Sequence, residues 1–238
     1  MKKIMWIISL IPLVITAIVL QYLPESVPMH YDFTGSIDRW GSKYEELLFP
    51  LVALALALFW TLLIGYYEKK ASTAALEKES AGAASNAKVL AVTGTAMAAM
   101  FTAIHGYSLY RAYQAASSNS EIQTADIGQF TNIIIGIVLI VVASFLPKTR
   151  INGAVGLRVS WSMYNDNTWR KSNRFSAYAL MITGLLIIIT SALLNSSTAA
   201  TLVLLGYISV ALIVILIYAH KMYNDEILRE KEHKTGSD

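Results

Sequence analysis

The chain has no cysteine in its 238 residues. That excludes a disulfide framework, a thiolate metal site and a cysteine nucleophile. Charge is scarce as well: Asp, Glu, Lys and Arg make up 15% of the residues, where soluble domains carry roughly 25%. Neither His-Glu-x-x-His nor Gly-x-Ser-x-Gly occurs, so zinc-peptidase and α/β-hydrolase chemistry has no motif to rest on. A net charge of +3 is too slight to point to nucleic acid. What the chain does have is apolar surface: 55% hydrophobic residues and a mean hydropathy of +0.49, gathered into six long runs.

Those runs cover residues 4–23, 47–67, 89–110, 130–146, 177–194 and 199–219. Each is close to the roughly 20 residues that cross a bilayer as a helix. Of the 19 lysines and arginines, only Arg39, Lys43 and Arg111 fall on one side of a six-span threading; the other 16 fall on the opposite side. Cytoplasmic loops carry such an excess. The sequence therefore predicts an all-α, polytopic membrane protein with six transmembrane helices and both termini in the cytoplasm. The start reads as an uncleaved first span, because Gln21-Tyr22-Leu23-Pro24 is not a small-residue cleavage site. The organisation expected is a two-span unit (1–70) with an outside motif loop (24–46), then a cytoplasmic linker (71–88). A four-span unit (89–220) with a cytoplasmic motif loop (147–176) follows, and then a charged tail (221–238).

In the third span Gly94, Ala98, Thr102 and Gly106 recur every four residues. Such a stripe lets helix backbones approach closely in lipid. His105 borders it; an ionisable residue within a span is a functional candidate, set against a hydrogen-bonded structural role.

Two polar segments carry motifs. The outside loop reads Val-Pro-Met-His-Tyr-Asp at 27–32 and Asp-Arg-Trp-Gly-Ser-Lys at 38–43. Three readings stand for it: a folded hairpin-like cap, a surface for an extracellular ligand, or a cation site of His30, Asp32 and Asp38. The spacing matches no metal template. The inside loop, 152–175, places Arg158, Trp161 and Trp169 ahead of Arg170, Lys171, Asn173 and Arg174. Asn165-Asp166-Asn167-Thr168 supplies N-cap candidates for a helix starting near Trp169. Aromatic rings interleaved with basic residues suit a headgroup-layer anchor; a partner or ligand site is the other reading.

The inside segment, with its Gly-Leu-Arg and Trp-Arg-Lys-Ser-Asn-Arg pattern, resembles the signature of SdpI-type immunity proteins, bacterial membrane proteins that protect a producer cell from a secreted toxic peptide. The outside segment resembles the domain of unknown function that often precedes that signature. By this resemblance His30, Asp32, Gly35, Asp38, Gly41 and Lys43 match the outer motif. Gly156, Arg158, Trp161, Trp169, Asn173 and Arg174 match the inner one. The family often has His where this chain has Asn173, which speaks against proton transfer there.

The resemblance implies a multi-pass protein of the bacterial cytoplasmic membrane that neutralises or senses a membrane-active peptide without enzymatic chemistry. It implies no cofactor and no metal. The partners it implies are the secreted toxic peptide, anionic membrane lipids and a cytoplasmic regulatory protein, with no nucleic acid. The residues expected to bind ligand or partner are His30, Asp32, Asp38, Arg39, Trp40 and Lys43 outside, and Arg158, Trp161, Trp169, Asn173 and Arg174 inside. A small transporter or exporter is the alternative, weakened because the spans hold no midplane carboxylate or lysine. A membrane peptidase lacks its motifs.

The threading can be tested directly, since no native cysteine interferes. A single cysteine at Ser36 is expected to react with an impermeant thiol reagent in intact cells, and one at Ser162 only after permeabilisation. The reverse pattern would refute the orientation.

Overall fold

The computed structural model describes residues 1–32, 36–117, 127–194 and 196–235. Six helices dominate it: α1 (Lys2–Val19), α2 (Leu48–Thr73), α3 (Glu77–Ser117), α4 (Ile127–Ala143), α5 (Asp166–Leu193) and α6 (Ser197–Thr235). Among the described residues, six helical segments are long and apolar enough to cross a membrane. Their outward faces are aliphatic: Leu62, Ile182, Leu202 and Leu193 are each more than half exposed. Such faces are stable against lipid, and a helix satisfies its own peptide groups there. The protein is a multi-pass membrane protein.

The all-α expectation needs one correction. Between α1 and α2 the chain forms β1 (Ser26–Tyr31) and β2 (Ile37–Ser42), an antiparallel pair that matches Val27 with Gly41 and Pro28 with Trp40 before the register slips at His30. Hydropathy reads a 23-residue polar stretch as a loop; it does not register a short strand whose apolar side alone is buried. Here Val27 packs with Leu23 on Leu109 and Ala112 of α3, which seats the hairpin on the bundle. Gly35 lies outside the described residues.

The helices also run beyond their apolar windows. α3 begins at Glu77 rather than near residue 89, and α6 continues to Thr235 through the charged tail. Ala, Glu and Lys favour helix in water as they do at a membrane edge, so helical backbone persists after hydropathy falls. Packing groups α1 with α2 and α3, and α4 with α5 and α6, with α3 against α4 joining the groups. Of the 71–88 stretch only residues 74–76 lie between α2 and α3, two closely packed neighbours; the rest is helical.

Small residues make the tightest contacts. A Cβ on Gly136 would lie 2.8 Å from the Gly184 carbonyl oxygen, and one on Gly184 2.7 Å from that of Gly136, so α4 and α5 touch backbone to backbone. Along the α3 stripe, a Cβ at Gly94 would meet Met5 and Trp60 at 2.9 Å, and Thr102 donates to the Ile8 carbonyl of α1 at 3.0 Å. Gly106 has open space around it. The stripe is a packing seam at Gly94 and Thr102 and ends before Gly106.

Gly136→Ala and Gly94→Ala are therefore expected to destabilise the protein by about 1–3 kcal/mol through overpacking. Gly106→Ala should leave it unchanged or more stable, because alanine favours helix over glycine by about 1 kcal/mol. Melting temperatures of the detergent-solubilised variants measure this.

Candidate functional site

Residues 149–165 connect α4 to α5 with almost no regular structure, apart from a short 3-10 turn (Leu146–Lys148) before them. Their peptide groups must be satisfied by side chains. Asn152 does most of this. Its Oδ1 accepts from the Ala154 and Val155 amides, both at 2.7 Å, while its Nδ2 donates to the carbonyls of Arg150 (2.6 Å) and Val155 (2.8 Å). The Arg150 amide in turn donates to Asn86 of α3 at 2.9 Å, and Tyr67 of α2 reaches Asn152 at 3.5 Å.

Gly156 follows with φ +114°, a left-handed conformation that costs an L side chain dearly. A Cβ there would lie 2.7 Å from Asn173 Oδ1 and from the Trp169 ring. Asn173 Oδ1 accepts the Leu157 amide at 2.8 Å, its Nδ2 donates to the Trp169 carbonyl at 3.0 Å, and Trp169 Nε1 donates to the Thr149 carbonyl at 3.1 Å. Trp169 is 1% exposed and Asn173 fully buried. Ser162 Oγ donates to the Leu157 carbonyl at 2.5 Å. Asn165 caps α5 by accepting the Asn167 and Thr168 amides, the N-cap that the sequence offered.

The helical extension of α6 lies against this loop. Asn165 and Asn167 donate to Glu226, Tyr164 donates to Glu230 at 2.8 Å, and Trp161 meets the His220 ring edge-on at 4.6 Å. The bond to the Glu230 carboxylate pushes the Tyr164 phenol above its ordinary value. Arg158, Arg170 and Arg174 remain exposed around the rim.

At the other end of the bundle the hairpin divides its motif between two faces. Gly41 is held against Met29 and Glu45, where a Cβ would clash. Ser42 and Glu45 form a capping box at the turn (Lys43–Leu47) that enters α2, and Glu45 also bonds Arg39. Lys43 pairs with Glu25 at 3.0 Å and donates to the Leu23 carbonyl. Asp32 accepts the Ser36 amide, closing the turn. On the open face His30 Nδ1 lies 2.6 Å from Asp38 Oδ1, and Trp40 is 55% exposed. Among the described residues no three His, Cys, Asp or Glu side chains are grouped to hold a metal ion.

One pair was not visible in the sequence. Glu46, 5% exposed, faces His105, 2% exposed, with Oε2 3.8 Å from Nδ1. His105 Nε2 lies 2.7 Å from Thr16 Oγ1, and the ring stacks on Phe49 at 4.8 Å. The clue was available: a Ser-x-x-Glu capping box commits Glu45 to the turn, which sends the adjacent Glu46 to another face.

The predicted residues thus form two separate sets. Asn86, under the inner loop, and Leu109, under the hairpin, are 23 residues apart on α3, or about 35 Å along a helix, the scale of a bilayer core. Residues 148–219 match the model described as the SdpI/YfhL protein family. Residues 7–54 match a domain of unknown function, DUF1648. No curated protein and no solved structure matches the chain. The SdpI/YfhL segment runs from the 3-10 turn after α4 through the apolar part of α6, and includes Asn152, Gly156, Trp169 and Asn173 but not Tyr67 and Asn86, on which the loop rests. The DUF1648 segment takes in most of α1, the hairpin and the start of α2, hence Thr16 and Glu46 but not His105.

Within the SdpI/YfhL segment Trp169 and Asn173 have no surface to offer a ligand. They fix the loop, and the exposed Arg158 and Arg174 and the half-buried Trp161 are what it presents. Gly156→Ala and Asn173→Ala are accordingly expected to lower stability. The second leaves the Leu157 amide unpartnered, at about 1–3 kcal/mol; the first adds backbone strain to the clash. Arg174→Ala, on the exposed rim, should change stability by no more than about 0.5 kcal/mol. Thermal unfolding of the purified variants distinguishes the two kinds.

Proposed function

We propose that the protein is an immunity-type protein of the bacterial cytoplasmic membrane, which protects the cell from a secreted, membrane-active peptide without cleaving it. The observation that carries this reading is the SdpI/YfhL match over residues 148–219, whose buried motif residues Trp169 and Asn173 hold the loop by hydrogen bonds. The charge asymmetry supports one orientation: the signature loop and both termini cytoplasmic, the hairpin outside.

In this reading the hairpin receives the peptide. Its open face combines an aromatic ring, Trp40, with the His30–Asp38 pair, the mixture of aromatic and charged anchors that dominates binding surfaces. A peptide held there competes with its own insertion into lipid. The signature loop is the cytoplasmic counterpart. Arg158 follows a backbone pinned by Asn173, so its guanidinium leaves a fixed origin toward a regulatory partner or a lipid headgroup. Lys171 is one of a run of basic residues on α5, and its charge alone serves anionic lipid, at about 1 kcal/mol per residue.

Expression in a sensitive strain is expected to raise survival against the cognate peptide, with the peptide recovered intact; recovery of cleaved peptide from the purified protein would overturn the non-enzymatic reading. At matched membrane abundance, Arg158→Lys should lower the tolerated peptide concentration about tenfold, the change for about 1.4 kcal/mol of lost interaction, because an ammonium does not replace a planar guanidinium. Lys171→Arg should be silent. His30→Ala and Asp38→Asn should keep abundance and weaken protection. If Arg158→Lys is silent too, the loop is a lipid anchor.

A further inference from the structure

The Glu46–His105 pair belongs to neither motif's exposed surface. It sits where three elements meet: the turn that joins β2 to α2, the hairpin end of α1 through Thr16, and α3. Thr16 Oγ1 lies 2.7 Å from the Pro12 carbonyl, to which its hydroxyl donates. Its oxygen is then left to accept, so the Nε2 of His105 carries the hydrogen of their 2.7 Å contact. A neutral imidazole in that tautomer turns a bare Nδ1 lone pair toward Glu46. The Glu46 carboxylate would face it with no hydrogen of its own, and two acceptors do not bond.

We propose that Glu46 and His105 form a proton-binding site, which holds one exchangeable proton between carboxyl and imidazole at the hairpin end of the α1–α3 group. With that proton bound, the pair is either an acid facing a lone pair or a carboxylate facing an imidazolium. Both are net neutral and both supply the missing donor. Release of the proton leaves a single buried negative charge, which protein interiors accommodate poorly. The 3.8 Å separation closes to a hydrogen bond by a small side-chain rotation.

The other charges near the pair are accounted for. On the turn and hairpin, Lys43 pairs with Glu25, Arg39 with Glu45, and His30 with Asp38, while Asp32 accepts the Ser36 amide. α1 carries only Lys2 and Lys3, at its far end, and the next ionisable groups of α2 are Tyr66 and Tyr67, also distant. α4 has no ionisable side chain. On α3, Tyr107 is stacked on Phe130 of α4, and Arg111 lies six residues beyond His105.

Because Glu46 stands in the turn directly after β2, the proton's presence is coupled to the seating of the hairpin on α3. Loss of the proton draws water to the carboxylate and loosens that seat. The test uses the full chain, carrying His30→Ala, His220→Gln and His233→Gln, in phosphatidylcholine vesicles, which leaves His105 as the one imidazole. Infrared difference spectra across a pH titration should show one carboxyl–imidazole transition, and hydrogen exchange of residues 26–32 and 36–42, corrected for intrinsic rates, should accelerate through the same midpoint. Glu46→Gln should abolish both the spectral step and the exchange step. His105→Gln, the independent variant should Glu46→Gln not fold, should move or abolish the spectral midpoint. A spectral step that persists in Glu46→Gln, a midpoint unmoved in His105→Gln, or hairpin exchange that ignores pH overturns the proposal. None of these readouts depends on protection against a peptide.

Discussion

A chain segment that is neither helix nor strand must find partners other than a ladder or helical turn for every peptide group that folding buries. Residues 149–165 meet that constraint with side chains, chiefly Asn152, Asn173 and Ser162. The architecture depends on the result. The loop they hold touches α3 through Asn86, α2 through Tyr67 and α6 through Glu226 and Glu230. It thereby fastens the α4–α6 group to the α1–α3 group at one end, where the direct contact is that of α3 with α4. Take away the Asn173 carbonyl, and the Leu157 amide, the left-handed Gly156 and the indole of Trp169 lose the geometry that accommodates all three.

The hairpin solves a milder version of the same problem. A strand pair satisfies half of its own peptide groups, so fewer side chains are needed. The remaining work goes to a cap, Ser42 with Glu45, and to one lysine, Lys43, whose head is enclosed by Glu25 and the Leu23 carbonyl. Both motifs therefore mix two kinds of residue. Some hold the backbone and are hidden; the others, His30, Asp38, Trp40, Arg158 and Arg174, stand outside on the scaffold so made.

That mixture marks how far the sequence can be read. The six spans were legible because a bilayer demands length and apolarity, and both are local properties. The start of α5 was legible because an N-cap is a short-range pattern, and Asn165 fills it. Which motif residues face inward was not legible. Trp169 and Asn173 look like Trp161 and Arg174 in a string of letters; their burial is decided by α4 and the 149–157 backbone, brought close only by folding. Glu46 was read as the end of a polar loop, because its partner His105 lies 59 residues away. Hydropathy also places helix ends where apolarity stops, whereas helical hydrogen bonding in α3 and α6 continues past that point.

The length of α6 has a mechanical meaning. Its 39 residues make a rod of about 58 Å, nearly twice the thickness of a hydrocarbon core. The part beyond Ala219 is about 24 Å long, and it is gripped partway by Tyr164, Asn165 and Asn167. A rod held well past its middle, at Glu226 and Glu230, is a lever with the loop as fulcrum. The arm on the bilayer side of Glu226 is about 44 Å and the arm beyond it about 14 Å. A tilt of about 10° therefore moves the free tip by about 2 Å and the Ser197 end by about 8 Å: small motion at the tail goes with a larger one inside the bundle.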